Sequence, residues 1–143
     1  MPAKFSEQEV SSGLKNRRRL SQFLETLIRE HMPHVGNANL QYIFCNDAFL
    51  LGINQQFLDH DTLTDIITFD LSESNDLLGE IYISTERVRE NAAIFKVPYQ
   101  HELHRVIFHG ALHLCGLRDK TPDEIAAMRA AEETCLQQYF QTQ

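Results

Sequence analysis

Three short segments rich in aliphatic, β-branched and aromatic residues are the firmest structural signal in this sequence. They run from Leu40 to Cys45, from Asp65 to Leu71 and from Leu77 to Ser84. Each has the length of a typical strand and contains the residue types that strands favour. The polar residues from Ser72 to Asp76 predict a turn between the second and third segments. The chain is therefore expected to build a small β-sheet.

Segments with helical periodicity separate and follow these strands. Five helices are predicted: over 14–31, from Asn46 or Asp47 through Phe57, from Ser84 or Thr85 to near Lys96, over 99–114, and from Thr121 onwards. The last begins most clearly, because Thr121, Pro122 and Glu124 form a capping box with proline at the first helical position. Residues 59–62 predict a polar turn. The order predicts an α+β fold, with a small mixed sheet of about four strands and about five helices in a single domain spanning residues 1–143.

The composition limits where such a protein can work. No stretch approaches the ~20 apolar residues of a membrane span, and the N-terminus MPAKFSEQEV lacks the apolar core of a secretory signal. The cysteines Cys45, Cys115 and Cys135 include no C-x-x-C pair. They are typical of buried reduced thiols rather than of a disulfide framework or a cysteine-rich zinc finger. These features predict a cytoplasmic protein without a membrane partner.

The distribution of charge restricts how the chain can bind nucleic acid. Its formal net charge of −7 argues against a protein that coats nucleic acid by charge alone. Positive charge is densest near the N-terminus, at Lys15, Arg17, Arg18 and Arg19. This run is typical of the solvated first turn of a helix, and a local contact with phosphate groups is the functional alternative.

One segment, which runs from His109 to Asp119, predicts a metal centre. His109 and His113 are four residues apart in a predicted helix, so both imidazoles lie on the same face and can bind one zinc ion. Gly116 lets the chain turn back after the helix, so that Asp119 can supply a third ligand. Three protein ligands leave one tetrahedral position for water, as in catalytic zinc sites. The pattern predicts one Zn²⁺ per chain on His109, His113 and Asp119, with the two histidines at the catalytic centre.

Several alternatives remain open from the residues alone. Two histidines at helical spacing also occur as an incidental packing pair. The metalloprotease motif H-E-x-x-H needs a glutamate after the first histidine, and Gly110 stands there, so peptide hydrolysis is disfavoured. Glu102 lies seven residues before His109 on the same helix face, and it either holds that histidine in place or is a surface glutamate. Cys115 is two residues beyond His113 and is therefore interpreted as a core residue.

The same segment resembles the signature of a known family. The run H-G-A-L-H-L-C-G that begins at His109, followed by an acidic turn, resembles the H-G-x-L-H-L-x-G-Y-D-H signature of the YbeY family of bacterial rRNA-maturation endoribonucleases. Upstream, the stretch from Asn54 to Phe69 resembles the family's N-x-x-[YF]…D-x-x-T-[DN]-V-L-S-F-P. Leu78 to Ser84 resembles L-G-D-I-x-I-S, and Glu102 with Leu103 resembles R-E-L. The resemblance covers roughly residues 40–140.

This resemblance implies a metal-dependent endoribonuclease that prefers single strands. The family matures the 3′ end of small-subunit rRNA and acts in ribosome quality control, so the implied partners are single-stranded RNA, rRNA and the ribosome or its small subunit. DNA is not an expected substrate. The implied fold is a small mixed sheet with helices packed against it, and the implied cofactor is zinc.

Two positions depart from the family pattern. Asp119 takes the place of the third histidine, and Leu58 takes the place of an arginine that the family uses in RNA cleavage. These departures favour an alternative, a catalytically weakened zinc-binding factor for ribosome assembly. A metallohydrolase of another class, such as a protease, is the third possibility.

Overall fold

A mixed β-sheet forms the framework of the protein. The computed structural model, which describes residues 2–58 and 63–141, contains the strands β1 (Ala3–Glu7), β2 (Ala38–Cys45), β3 (Ile66–Asp70) and β4 (Leu77–Ser84). Their spatial order is β1-β2-β4-β3. The first three in this order are parallel, and β3 pairs antiparallel with β4 at the edge. The expected mixed sheet is confirmed, while the predicted turn at 59–62 lies outside the described residues.

The strand β1 was not among the segments located by sequence pattern. Its sequence AKFSE has little apolar alternation. It pairs with β2 from Ala3 opposite Leu40 to Glu7 opposite Phe44, and the Ala3 amide donates a hydrogen bond to the Ser21 hydroxyl of the following helix at 3.0 Å. Pairing with a neighbouring strand, rather than local propensity, therefore makes this segment a strand.

The described residues form five helices, which match the predicted ones. They are α1 (Arg17–His31), α2 (Asp47–Leu58), α3 (Thr85–Phe95), α4 (Tyr99–Leu114) and α5 (Pro122–Gln141). Ser84 caps α3, since its hydroxyl accepts a hydrogen bond from the Arg87 amide at 3.3 Å. None of these helices is both long and apolar enough to cross a membrane.

Local backbone geometry explains where α1 and α5 begin. The Glu124 amide donates to the Thr121 hydroxyl at 3.2 Å, and the Thr121 amide donates back to the Glu124 carboxylate at 3.0 Å. This is the predicted capping box. The helix α1 begins at Arg17 rather than at residue 14, because Asn16 adopts a left-handed conformation with φ of 57°.

The helix α4 runs through the main hydrophobic core. It contacts α1, α3 and α5 as well as β3 and β4, and most of its residues are buried. The side chain of Tyr42 in β2 is fully buried, and its hydroxyl donates to the Ile107 carbonyl oxygen of α4 at 2.8 Å. Contacts on several sides therefore fix the rotation of α4, and with it the direction of each side chain on the helix.

The helix α2 lies on the other face of the sheet. Ile66 is partly buried and packs against the main core, whereas Ile67, its neighbour in β3, belongs to a second apolar cluster beneath α2. Adjacent residues of a strand point to opposite faces, so the two clusters lie on opposite sides of the sheet. The second cluster consists of Cys45, Leu50, Ile53 and Ile67.

The three cysteines are free thiols. Cys45 and Cys135 are buried as expected, and burial raises the pKa of each to about 12. Cys115 is only half-buried, packs against the main core, and has its pKa raised by burial to about 11. All three are therefore protonated and unreactive at neutral pH, as structural cysteines are.

Gly110 allows α4 to lie close to the sheet. A Cβ atom at this position would stand 3.1 Å from Ile66 Cδ1 and 3.1 Å from Ile81 Cγ2. Carbon atoms pack best at about 3.5–4.0 Å, so a larger residue would push the helix away from the sheet. Because His109 precedes Gly110 in the same turn, this close approach also sets the position of His109.

We expect Gly110→Val to lower the free energy of unfolding by about 1–3 kcal/mol, because the added methyl groups overpack the helix–sheet interface. Chemical denaturation measures the difference. Gly52→Val is the matched control, since Gly52 lies in α2 with no atom near its Cβ position. Its free energy of unfolding should stay within about 0.5 kcal/mol of wild type. An equal loss in both variants would mean that packing at Gly110 is not the cause.

Candidate metal centre

The structure brings the three predicted metal ligands to one cavity. His109 and His113 lie one turn apart on α4, and Asp119 lies in the connection from α4 to α5. All three line a cavity of about 330 Å³, whose other side is formed by Ile66 and Thr68 of β3. The cavity therefore lies between α4, the edge strand of the sheet and the connection before α5.

His109 is held through one of its ring nitrogens. Its Nδ1 atom lies 2.7 Å from Glu132 Oε2, and its Nε2 atom lies 3.4 Å from Asp119 Oδ2. An ionised carboxylate only accepts hydrogen bonds, so in the neutral imidazole Nδ1 carries the proton and Nε2 presents its lone pair. Zinc-binding histidines are commonly oriented by a carboxylate in this way.

Glu132 is a buried carboxylate at the centre of a charged network. The residue is 1% exposed. Its Oε2 atom accepts from His109, and its Oε1 atom accepts from Arg105 and from Arg129 at 3.0 Å each. Burial alone raises the pKa of a carboxyl group, but the hydrogen bond from His109 and the charge of Arg105 outweigh it and lower the pKa of Glu132. Glu132 is therefore ionised where it orients His109.

Sequence reasoning missed Glu132, although the sequence contains a signal for it. Glu132 lies four residues after Met128 and four before Leu136, and all three are buried along α5. A glutamate on the apolar face of a helix is seldom buried without a partner. Its partner His109 is separated from it by 23 positions in the chain, so only the packing of α5 on α4 reveals the pair.

Glu102 has a different role from either of those expected. Among the described side chains it is bound to Arg105 rather than to His109, through contacts of 2.8 Å from Nε and 2.7 Å from Nη2. It is also buried rather than a surface glutamate. Arg105 in turn donates to Glu132. Glu102 therefore positions Arg105, and acts on His109 only through Arg105 and Glu132.

The chemistry of the cavity fits a zinc ion. Two ligands that stand ~2.0–2.1 Å from a tetrahedral zinc ion lie ~3.3 Å apart, and His109 Nε2 and Asp119 Oδ2 are separated by 3.4 Å. The surrounding network also carries more negative than positive side chains, which favours a bound cation. Its carboxylates are Asp65, Glu102, Asp119 and Glu132, and its guanidinium groups are Arg105 and Arg129.

His113 lines the same cavity, but its side chain is not close enough to His109 and Asp119 for the three to hold one metal ion together. It is in the last turn of α4 and is exposed to solvent, as is Asp119. Within the described parts of the chain, no three His, Cys, Asp or Glu side chains stand close enough together to hold a metal ion. The structure thus places His109 and Asp119 at ligand spacing and adds His113 at the wall of the cavity.

The N-terminal basic run is partly engaged in contacts within the protein. Arg17 forms an ion pair with Glu7 at 3.1 Å. The guanidinium group of Arg19 lies over the ring of Tyr139, 3.9 Å from its centroid. These contacts attach the beginning of α1 to β1 and to α5, so this run serves packing as well as carrying charge.

The positive charge at the cavity comes from two arginines of the last two helices. Among the described residues, Arg105 and Arg129 are the arginines that line the cavity. Leu58, which stands where the resembled family has an arginine, ends α2 and is 41% exposed. The cations of this cavity therefore belong to α4 and α5.

Comparison with known proteins identifies the family. The sequence profile of the family described as Endoribonuclease YbeY matches residues 4–140. The chain is 45% identical over 132 residues to Endoribonuclease YbeY of Porphyromonas gingivalis. The aligned region covers 92% of this chain and 86% of that protein. It is 56% identical over 94 residues to the protein of the same name from Flavobacterium psychrophilum, covering 66% of this chain and 67% of that one.

A solved structure agrees with these sequence matches. The solution structure of TM1509 from Thermotoga maritima aligns with a TM-score of 0.63 at 27% identity, over 98% of this chain and 90% of that one. The described sheet order and helices therefore follow a fold already known from experiment. Together with the family match over nearly the whole sequence, these similarities show that this chain belongs to the YbeY family of endoribonucleases.

Proposed function

We propose that the cavity is the hydrolytic centre of a zinc-dependent endoribonuclease, with one Zn²⁺ per chain bound by His109, His113 and Asp119. The position of His109 carries this proposal. Its Nδ1 atom is bound to the buried Glu132, and its Nε2 atom stands 3.4 Å from Asp119. Membership in a family of endoribonucleases makes RNA the substrate.

The residues of the chain prepare the site for hydrolysis. When bound, zinc would supply positive charge for phosphate oxygens and lower the pKa of a water molecule. Glu132 keeps the proton of His109 on Nδ1, so that Nε2 is available at the cavity. His109 and His113 then act at the reacting centre. Asp119 contributes a carboxylate, whose charge makes a bound metal a weaker Lewis acid than a third histidine would.

The proposed substrate is single-stranded RNA, in particular the 3′ end of small-subunit rRNA. The proposed partner is the ribosome or its small subunit, in rRNA maturation and ribosome quality control in the cytoplasm. The motifs around His109 and upstream of it support this assignment through the family they resemble. The formal charge of −7 indicates that RNA is bound through a few local contacts rather than through a broad basic surface.

A second candidate function is a zinc-binding factor for ribosome assembly with weakened catalysis. The observation that favours it is Leu58, which supplies no charge where the resembled family has an arginine. A protease is less well supported, because Gly110 faces Ile66 and Ile81 of the sheet and offers no base next to His109.

Metal analysis of the purified protein tests the ligand assignment. We expect one zinc ion per chain in the wild type, and loss of at least about 90% of it in His113→Ala and Asp119→Ala, since each variant removes one of three ligands. His34→Ala is the control, because His34 is exposed and does not line the cavity. Full zinc content in both ligand variants would contradict the assignment.

Glu132→Gln tests the orientation of His109. The glutamine keeps the size of the side chain but removes the charge that orients the imidazole, so the affinity for zinc should fall about 10–100-fold. Competition with a zinc chelator measures this affinity. The matched control is Glu133→Gln, because Glu133 is the neighbouring glutamate in α5 and is exposed. Equal affinities in the two variants would show that Glu132 does not support the metal centre.

Cleavage of a single-stranded RNA tests the activity. We expect the wild type to cleave it, EDTA to abolish cleavage and added zinc to restore it. The cleavage rate of His113→Ala should be at least about 100-fold lower, because loss of the metal removes several kcal/mol of transition-state stabilisation. A wild-type protein that binds one zinc ion per chain but leaves RNA intact would favour the assembly factor. Cleavage of casein without cleavage of RNA would instead support the hypothesis that the protein is a protease.

A further inference from the structure

The two arginines of the cavity differ in how their donors are used. The Arg105 side chain is 13% exposed, and its hydrogen bonds to Glu102 and Glu132 occupy Nε, Nη1 and Nη2. The Arg129 side chain is 55% exposed and donates from Nη1 to Glu132. No other protein partner for Arg129 is found in residues 2–58 and 63–141. A guanidinium group has five N–H donors, so Arg129 has most of its donors free to bind another group.

The position of Arg129 directs these donors to the site. Arg129 lies three residues before Glu132 in α5, so both side chains occupy the same helix face. Arg129 lines the main cavity together with His109 and Asp119, and it lines an adjoining smaller cavity with the same two residues. Its contact with Glu132 tethers the guanidinium group beside His109 without burying it.

The charge around Arg129 indicates which group it can bind. Glu132 accepts a hydrogen bond from Nη1 of Arg129 and is shared with Arg105 and His109, so this ion pair leaves the other donors of Arg129 available at the cavity. The other charged side chains at the cavity wall include Asp65 and Asp119, which repel a phosphodiester. In addition to the proposed metal ion, a cation of the chain itself would therefore help to hold the phosphates of an RNA strand near the histidines.

We propose that Arg129 binds a phosphate group of the RNA strand in the cavity. The proposal rests on the function proposed above and adds a substrate-binding residue to it. A planar guanidinium group offers paired N–H donors that match two phosphate oxygens, and it keeps its charge at every physiological pH. The contact forms when the substrate binds, so it contributes to affinity more than to the chemical step.

Steady-state cleavage of a short oligouridine by the zinc-loaded protein tests the contact. Arg129→Ala should raise KM about tenfold while kcat stays within about threefold of wild type, which is the signature of lost substrate binding. In Arg129→Lys the KM should lie between those of Arg129→Ala and wild type and closer to wild type, because lysine keeps the charge but not the paired donors. The control is Arg118→Ala, since Arg118 is exposed but does not line the cavity, and its KM should equal that of wild type.

A binding measurement separates a phosphate contact from a structural role. Fluorescence anisotropy with a 2′-O-methyl oligouridine, which lacks the 2′-hydroxyl group, gives the association constant at several salt concentrations. The slope of log K against log salt should become shallower by about 0.7 in Arg129→Ala, the value for one phosphate on a single strand. It should not change in Arg118→Ala.

Two results would overturn the proposal. One is a salt slope for Arg129→Ala equal to that of wild type. The other is a lower melting temperature with an unchanged KM, because Arg129 would then only support Glu132. A wild-type protein that cleaves no RNA would contradict the proposed function instead, and the salt slopes would still decide whether Arg129 binds phosphate.

Discussion

The site is organised around the buried carboxylate of Glu132 and the hydrogen bonds that it accepts. An isolated charge in a protein interior is strongly unfavourable, and its burial is tolerated only where charged partners and hydrogen bonds compensate. Arg105, Arg129 and His109 provide that compensation from two helices, so one carboxylate joins α4 to α5 and orients an imidazole at the same time. Stability and function are coupled here, because one of the three groups that satisfy the buried charge, His109, is also a proposed metal ligand.

The proposed ligand positions differ in how firmly the fold holds them. His109 is on a helix packed against three other helices and the sheet, and its ring is bound to Glu132. His113 and Asp119 are exposed, at the end of α4 and in the connection that follows it. A site with one half-buried, oriented proposed ligand and two exposed ones is open to solvent on one side, where a long substrate such as an RNA strand can enter. This geometry agrees with an endoribonuclease better than with an enzyme that encloses a small substrate.

Local sequence signals predicted much of this arrangement, and their failures share a cause. Three strands and five helices were located from periodicity and capping residues, because these depend on neighbours in the chain. The strand β1 was missed because it is stabilised by pairing with β2 rather than by its own residues. Glu102 was a candidate partner of His109 because both lie on α4 at helical spacing. The carboxylate that binds His109 is instead Glu132 of α5. Spacing within one helix reveals which residues share a face, but it does not reveal what the neighbouring helix brings to that face.

Residue types at short, regular intervals were enough to predict the type of fold, the family resemblance and the three candidate ligands. The spacing between His109 and Asp119, which suits two ligands of one metal ion, depends instead on how the connection after α4 folds back towards that helix. The packing of the helices likewise engages the guanidinium group of Arg105 with buried carboxylates, whereas Arg129 keeps hydrogen-bond donors available at the cavity. The physical reason is that charges and hydrogen bonds act through space over a few ångströms. Their partners are therefore set by how α4, α5 and the sheet pack, which no short stretch of the chain specifies.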